Sequence, residues 1–148
     1  MTNQRRRAQQ VLDIAQRAEH GARAELAAAN QSVVQVGEQI SAVHRSGLDL
    51  GTQRLDPRLQ ASFNETGARK LILLSSVRDQ LRADAKEKYV AWDQSRMKVQ
   101  SLDKLVGRIR QAEQDQARRH EAAELLDAIT ASVASSQSRT VGRTLDVQ

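Results

Sequence analysis

The only proline in this sequence is Pro57, and it follows Asp56. Asp before Pro is a helix-start signal. The carboxylate caps free backbone N–H groups, and proline at the first helical position lacks only an N–H that would have no partner there. No further proline interrupts the chain, and as far as about Val133 the residues are rich in Leu, Ala, Gln, Arg, Lys and Glu. These side chains lose little rotamer entropy on entering a helix. A helix of about 75 residues, at about 1.5 Å per residue, spans roughly 110 Å. No globular domain of this size encloses such an element, so the sequence predicts a rod.

Composition agrees with a rod. Aromatic residues make up 2% of the chain and charged residues 28%. A compact core normally draws on more aromatic area. Ala, Glu, Gln, Lys, Leu and Arg with regularly spaced apolar residues are the signature of a coiled coil. There is no cysteine, which excludes disulfides and thiolate metal sites and fits a reducing compartment. The longest apolar run, Leu71-Ile72-Leu73-Leu74, is far short of the roughly 20 residues of a membrane span, and the start from Met1 to Arg7 is polar and basic. The expectation is a cytoplasmic protein without a signal peptide or transmembrane segment, at most peripherally associated with the inner face of the cell membrane. The triplets Asn30-Gln31-Ser32 and Asn64-Glu65-Thr66 then carry no glycosylation. The net charge is +5, but acids are interspersed among the bases. That pattern, with so few aromatics to stack on bases, argues against nucleic acid as a partner.

Before Pro57 the chain carries a heptad over residues 5 to 45. Alternating steps of three and four from Leu12 reach Ala15, Glu19, Ala22, Leu26, Ala29, Val33, Val36, Ile40 and Val43. Only Glu19 breaks the apolar series. A 3.5-residue repeat keeps one stripe on one face and implies a left-handed supercoil with a partner helix. The alanines let that partner approach closely, yet each buries little apolar area. Gly47 and Gly51, followed by Asp56-Pro57, are the strongest punctuation in the chain. A connector there turns the second helix antiparallel to the first.

Two readings of the second helix's start stay open. It is continuous from Pro57, or it kinks and restarts near Ser62 or Thr66, where Ser62-Phe63-Asn64-Glu65 has capping-box spacing and Gly67 follows. Its stripe then runs Leu71, Leu74, Val77, Leu81, Ala85, Tyr89 and Trp92, with Tyr89 and Trp92 read as a packing anchor. The consecutive steps of four loosen the supercoil. A second register begins near Leu102 and continues through Leu105, Ile109, Ala112, Gln116, Arg119, Ala123, Leu126, Thr130 and Val133. The Ser/Thr/Gly-rich tail from Ser135 is expected to fray.

The fold class that results is all-α: a long antiparallel two-helix coiled-coil hairpin with a longer, projecting C-terminal helix. Its expected parts are a helix over about 4–46, a connector over about 47–56, a helix over about 57–134 and a frayed tail over 135–148. Folding 5–45 back sets the Arg5 end beside about residue 100. Roughly 35 residues, some 50 Å of helix, then project beyond it. They still carry Leu102, Leu105, Ile109, Leu125, Leu126 and Ile129. An unpaired amphipathic helix in water has no reason to keep such a stripe, so it dimerises or inserts into a partner.

No chemistry is evident. There is no phosphate loop, metal-ligand spacing or triad; Gly107-Arg108 and Gly142-Arg143 are isolated, and His20, His44 and His120 lie far apart. The chain is expected not to be an enzyme and to hold no cofactor or metal.

The pattern resembles the FliJ family, the central-stalk proteins of the flagellar type III export apparatus, and their counterparts in virulence type III secretion. The residues that carry the resemblance lie at both ends. Gln10-Val11-Leu12-Asp13-Ile14 with Ala24-Glu25-Leu26-Ala27-Ala28-Ala29 is similar to that family's opening. Leu102-Asp103-Lys104-Leu105 with Arg108, and Arg118-Arg119-His120-Glu121 to Leu126-Asp127, are similar to its later segments. The chain departs from it at Ala15-Gln16 and at Ala122-Ala123 and Ala128, where charges are common. The resemblance implies a stalk similar to that of the rotary ATP synthase. Such a stalk inserts its helix ends into the pore of a hexameric export ATPase, promotes ring assembly and engages the membrane export gate, with export chaperones as further partners. The residues it offers for partner binding are Arg5, Arg6, Arg7, Leu102, Leu105, Arg108, Ile109, Arg110, Arg118, Arg119 and Leu126, the arginines facing an acidic pore lining. The alternative is a homodimeric cytoplasmic scaffold or adaptor with no ATPase partner.

Overall fold

The computed structural model describes residues 2–53 and 56–145. Of the expected connector, Arg54 and Leu55 lie outside the described residues, as do residues 146–148 of the expected tail. Two helices account for nearly everything described: α1, Asn3–Thr52, and the longer α2, Pro57–Leu145, packed antiparallel.

Both helices begin as the local chemistry dictates. Thr2 caps α1: its hydroxyl accepts from the Arg5 N–H at 3.2 Å, and its carbonyl accepts the first helical bond, from Arg6, at 3.0 Å. Asp56 caps α2 in the same way. Its carboxylate accepts from the Arg58 N–H at 3.2 Å and its carbonyl from Gln60 at 3.0 Å, with Pro57 between them. The restart near Ser62 does not occur. The Ser62 carbonyl accepts a bond from the Thr66 hydroxyl at 3.0 Å, and Arg69 reaches back one turn to Glu65 at 2.6 Å, both inside unbroken helix.

Two boundaries differ from expectation. α1 passes through Gly47 and Gly51 to Thr52 instead of stopping at about 46. No described glycine takes a positive φ, so neither glycine serves as a left-handed C-cap. At the other end, α2 continues through the serine-rich segment expected to fray. There Ser136, Ser138 and Thr140 donate their hydroxyls to the carbonyls of Val133, Ser135 and Ser136. Hydroxyls turned onto their own helix in this way are satisfied without leaving it, at a slight cost to the helix.

The chain divides into two compact units: Gln10–Leu102, and Met1–Gln9 with Asp103–Gln148. In the first, the α1 stripe is the seam. All ten positions from Leu12 to Val43 are buried or half-buried, while Val11, Ile14 and Val34 between them are exposed. The core is shallow and made of small residues: Leu12, Ala15, Ala29, Val36 and Ala85, together with Glu19.

The α2 stripe read from its apolar residues is largely the observed one, since Leu71, Leu74, Val77, Leu81, Ala85 and Trp92 are all buried or half-buried, and it departs at Tyr89. Burial follows unbroken steps of three and four: Leu71, Leu74, Arg78, Leu81, Ala85, Lys88, Trp92, Ser95, Val99, Leu102, Val106, Ile109 and Glu113. There is neither a drift of fours nor a second register near Leu102. Tyr89 is 52% exposed and is not a packing anchor, although its ring touches that of Trp92 at 5.7 Å. Its expected place belongs to Lys88, whose stem lies along the seam while its ammonium reaches Glu25 at 3.4 Å. Likewise Val106 holds the seam position and Leu105 is 44% exposed.

In the other unit, Arg5 of α1 lies beside Glu113 of α2, at 3.4 Å, not beside residue 100.

Candidate docking face on the second helix

In the unit containing Asp103 onward, the seam stops at Glu113. Its carboxylate accepts the Thr2 hydroxyl and lies 3.4 Å from the Arg5 guanidinium. The Thr2 hydroxyl first, then the Thr2 backbone N–H and after it the Arg5 charge, hold the Glu113 carboxyl below its ordinary value. Every residue from Gln116 to Gly142 is exposed. The expected seam positions Gln116, Arg119, Ala123, Leu126, Thr130 and Val133 therefore bury nothing within this chain.

Exposed apolar residues nevertheless continue along this stretch: Leu125, Leu126, Ile129 and Val133. With Ala122 they occupy an arc of about 100° of the helix surface, the width of an amphipathic stripe. This arc is turned away from the seam. Measured around α2, its centre lies between about 125° and about 180° from the centre of Val106, Ile109 and Glu113, for repeats of 3.5 and 3.6 residues. A longer first helix continuing the seam would meet His120 and Asp127, not Leu126 and Ile129.

The same side of α2, followed toward the seam-bearing turns, is basic. Lys104, Arg108, Arg118 and Arg119 fall on it, all exposed. The acid among them, Asp115, accepts the Gln111 amide at 3.0 Å. None of the four cations has an ion-pair partner among the described residues. The face thus reads basic first and apolar after, on one side of one unbroken helix.

Of the residues expected to bind a partner, Arg108, Arg118, Arg119 and Leu126 come together on this face. Leu102 and Ile109 do not, because both are half-buried on the seam stripe. Arg5 is engaged with Glu113. Leu105 lies at the flank of the seam, and Arg110 on the far side of α2 from the other arginines. Arg6 and Arg7 are exposed in the first turns of α1. The same face also holds Lys104, Ala122, Leu125, Ile129 and Val133, which that set does not name, although Leu125 and Ile129 belong to the projecting stripe read from the sequence. The signal that finds them is the arc itself, visible when residues 104–133 are projected at 3.6 residues per turn.

A second concavity lies in the other unit, an apolar groove lined by Val43, Leu48, Leu50, Phe63 and Leu71 beside Gly47 and Gly67. Among the described residues no helix is long and apolar enough to cross a membrane.

These features define a two-helix, coiled-coil-like hairpin whose longer helix carries an exposed face, basic and then apolar. Compared with family models, curated proteins and solved structures, the chain matches none of them.

Proposed function

We propose that this chain is a non-enzymatic coiled-coil stalk of a flagellar or type III protein export apparatus. In this reading it inserts the end of α2 into the hexameric export ATPase, promotes assembly of the ring and couples it to the membrane export gate. The observation that carries the proposal is the face of α2 that runs from Lys104, Arg108, Arg118 and Arg119 into Leu125, Leu126, Ile129 and Val133. Such a face fits a partner that is acidic at its entrance and apolar further in. Charge complementarity of that kind steers encounter and fixes register, and apolar burial holds the complex. The resemblance of the two chain ends to the FliJ family supplies the identity of the partner.

The test is ATP hydrolysis by the purified export ATPase of the same organism, with and without this protein, with ring formation followed by light scattering. Stimulation with ring assembly is expected, and the triple change of Arg108, Arg118 and Arg119 to Glu removes both. Equal stimulation by the triple variant refutes the face. Lack of any association from the helical parent protein refutes the stalk. A stable dimer by sedimentation in that case assigns the apolar arc to a second copy in a scaffold.

A further inference from the structure

Glu19 occupies a seam position with only 8% of its surface exposed. Its carboxylate accepts the indole N–H of Trp92, from α2, at 2.8 Å. Three further groups close around the pair. Arg23 lies 3.4 Å from the same carboxylate, His20 lies 3.7 Å from its other oxygen, and the Arg96 guanidinium stacks 5.1 Å over the Trp92 ring. A buried carboxylate is tolerated only where such partners meet it.

Apart from the ion pairs Arg5–Glu113 and Lys88–Glu25, both near the surface and therefore weak, the rest of the seam does little to fix where α1 sits along α2. Counting outward from this pair in the antiparallel sense sets Leu12 opposite Val99, Leu26 opposite Ala85, Val33 opposite Arg78 and Ile40 opposite Leu71. Ala15, Ala22 and Ala29 lie between them. Small residues at heptad spacing fit one another about equally well after a slide of seven. Such a slide toward the connector sets Leu12 against Trp92 and Val33 against Leu71, both acceptable apolar pairs, while Leu26 meets Arg78, as Val33 does in the present register, and Ile40 meets Asn64. It also sets Glu19 against Ala85 and strips the indole N–H of its acceptor. The connector end can take up the slack. The last turns of α1, Ser46–Thr52, are exposed apart from Leu50 in every side chain described, and contain Gly47 and Gly51. Glycine is the weakest helix former after proline.

We infer that the Glu19–Trp92 pair is a register lock. It holds α1 against a one-heptad slide along α2 that the alanine-rich seam and the glycine-bearing end of α1 otherwise permit. A single polar seam residue that specifies register is the best-attested use of a buried polar group in coiled coils. This inference rests on the seam alone and is independent of the export reading.

The full chain has no cysteine, so paired cysteines read register directly. Val33→Cys with Arg78→Cys reports the present register, and Val33→Cys with Leu71→Cys reports the slide. With Glu19 and Trp92 intact, the first pair oxidises faster by at least about tenfold, the population ratio that roughly 1.4 kcal/mol sets. With Glu19→Leu, which fills the seam without the bond, the ratio falls toward one. Trp92→Phe, which keeps ring bulk but removes the donor, lowers it too. Helicity by circular dichroism confirms that each variant is folded, and Trp92→Phe decides the matter if Glu19→Leu is not. An unchanged ratio in either folded variant overturns the lock.

Discussion

Two leucine truncations, identical in chemistry and opposite in environment, test the division between seam and free face. Leu12 is 3% exposed, the lowest value in the buried core; Leu126 is 65% exposed. Truncating a buried leucine removes its transfer free energy and leaves a cavity, at a cost of about 2–5 kcal/mol. In a two-helix seam the neighbours close part of the gap, so Leu12→Ala falls near the lower end, about 2–3 kcal/mol. Leu126 has most of its side chain in water already, and alanine is slightly the better helix former. Leu126→Ala therefore stays within about 0.5 kcal/mol of the parent.

Urea unfolding followed by circular dichroism separates the two. With a slope of about 1–3 kcal/mol per molar urea, Leu12→Ala lowers the midpoint by about 1 M and Leu126→Ala leaves it in place. A cost above about 1.5 kcal/mol for Leu126→Ala, at a protein concentration where the parent is monomeric, refutes the reasoning, because a side chain exposed to that degree has too little to lose. A cost below about 1 kcal/mol for Leu12→Ala refutes it from the other side, by showing that the seam does not hold the helices.

Two further outcomes are expected. Glu113 titrates below its ordinary value of 4.5, held there first by the Thr2 hydroxyl, then by the Thr2 backbone N–H and by Arg5; a group depressed on folding adds stability that is present above 4.5 and lost as pH falls through the lowered value. A carbon NMR titration of the Glu113 carboxyl shows its midpoint below 4.5 in the parent and moving toward 4.5 in Thr2→Ala. Gly21 is helical with nothing within 4 Å of an added Cβ, so Gly21→Ala raises the thermal midpoint, by the equivalent of about 0.4–1 kcal/mol; a lower midpoint shows that this space is needed.

How legible each part was in the sequence depends on which residues mark it. The α1 seam was legible to the residue, because its 3-4 spacing from Leu12 to Val43 is marked by apolar side chains at every step but Glu19. The α2 seam was legible only in part, because four of its members are Arg78, Lys88, Ser95 and Glu113. Following apolar residues alone forces a detour onto Val77, Tyr89 and Leu105. Long basic side chains hold seam positions by laying their stems along the partner and their charges outside it, which no hydrophobicity pattern records. The helix starts at Thr2 and Asp56 follow local capping chemistry. The helix ends were misread because glycine and serine were taken as breakers. Gly47 and Gly51 each cost about 1 kcal/mol in a helix, which lowers helix propensity without forbidding the helix that passes through them. The tail serines instead satisfy their hydroxyls on the helix itself.

The docking face was half legible for a related reason. The apolar residues from Leu125 to Val133 stood out, but reading them as a continuation of the seam placed them on the wrong side of α2. One helix can hold a partner within its own chain and another outside it only if the two faces do not compete. A stripe that simply ran on past Glu113 would have offered the incoming partner the geometry of α1, and an α1 from a second copy would fit it as well. Turning the apolar arc away from the seam and leading into it with Lys104, Arg108, Arg118 and Arg119 removes that ambiguity. The bases repel a second copy of the same basic face laid alongside in parallel and attract an acidic surface. Under the proposed function, the rotation between the seam and the arc is what suits the end of α2 to a different protein.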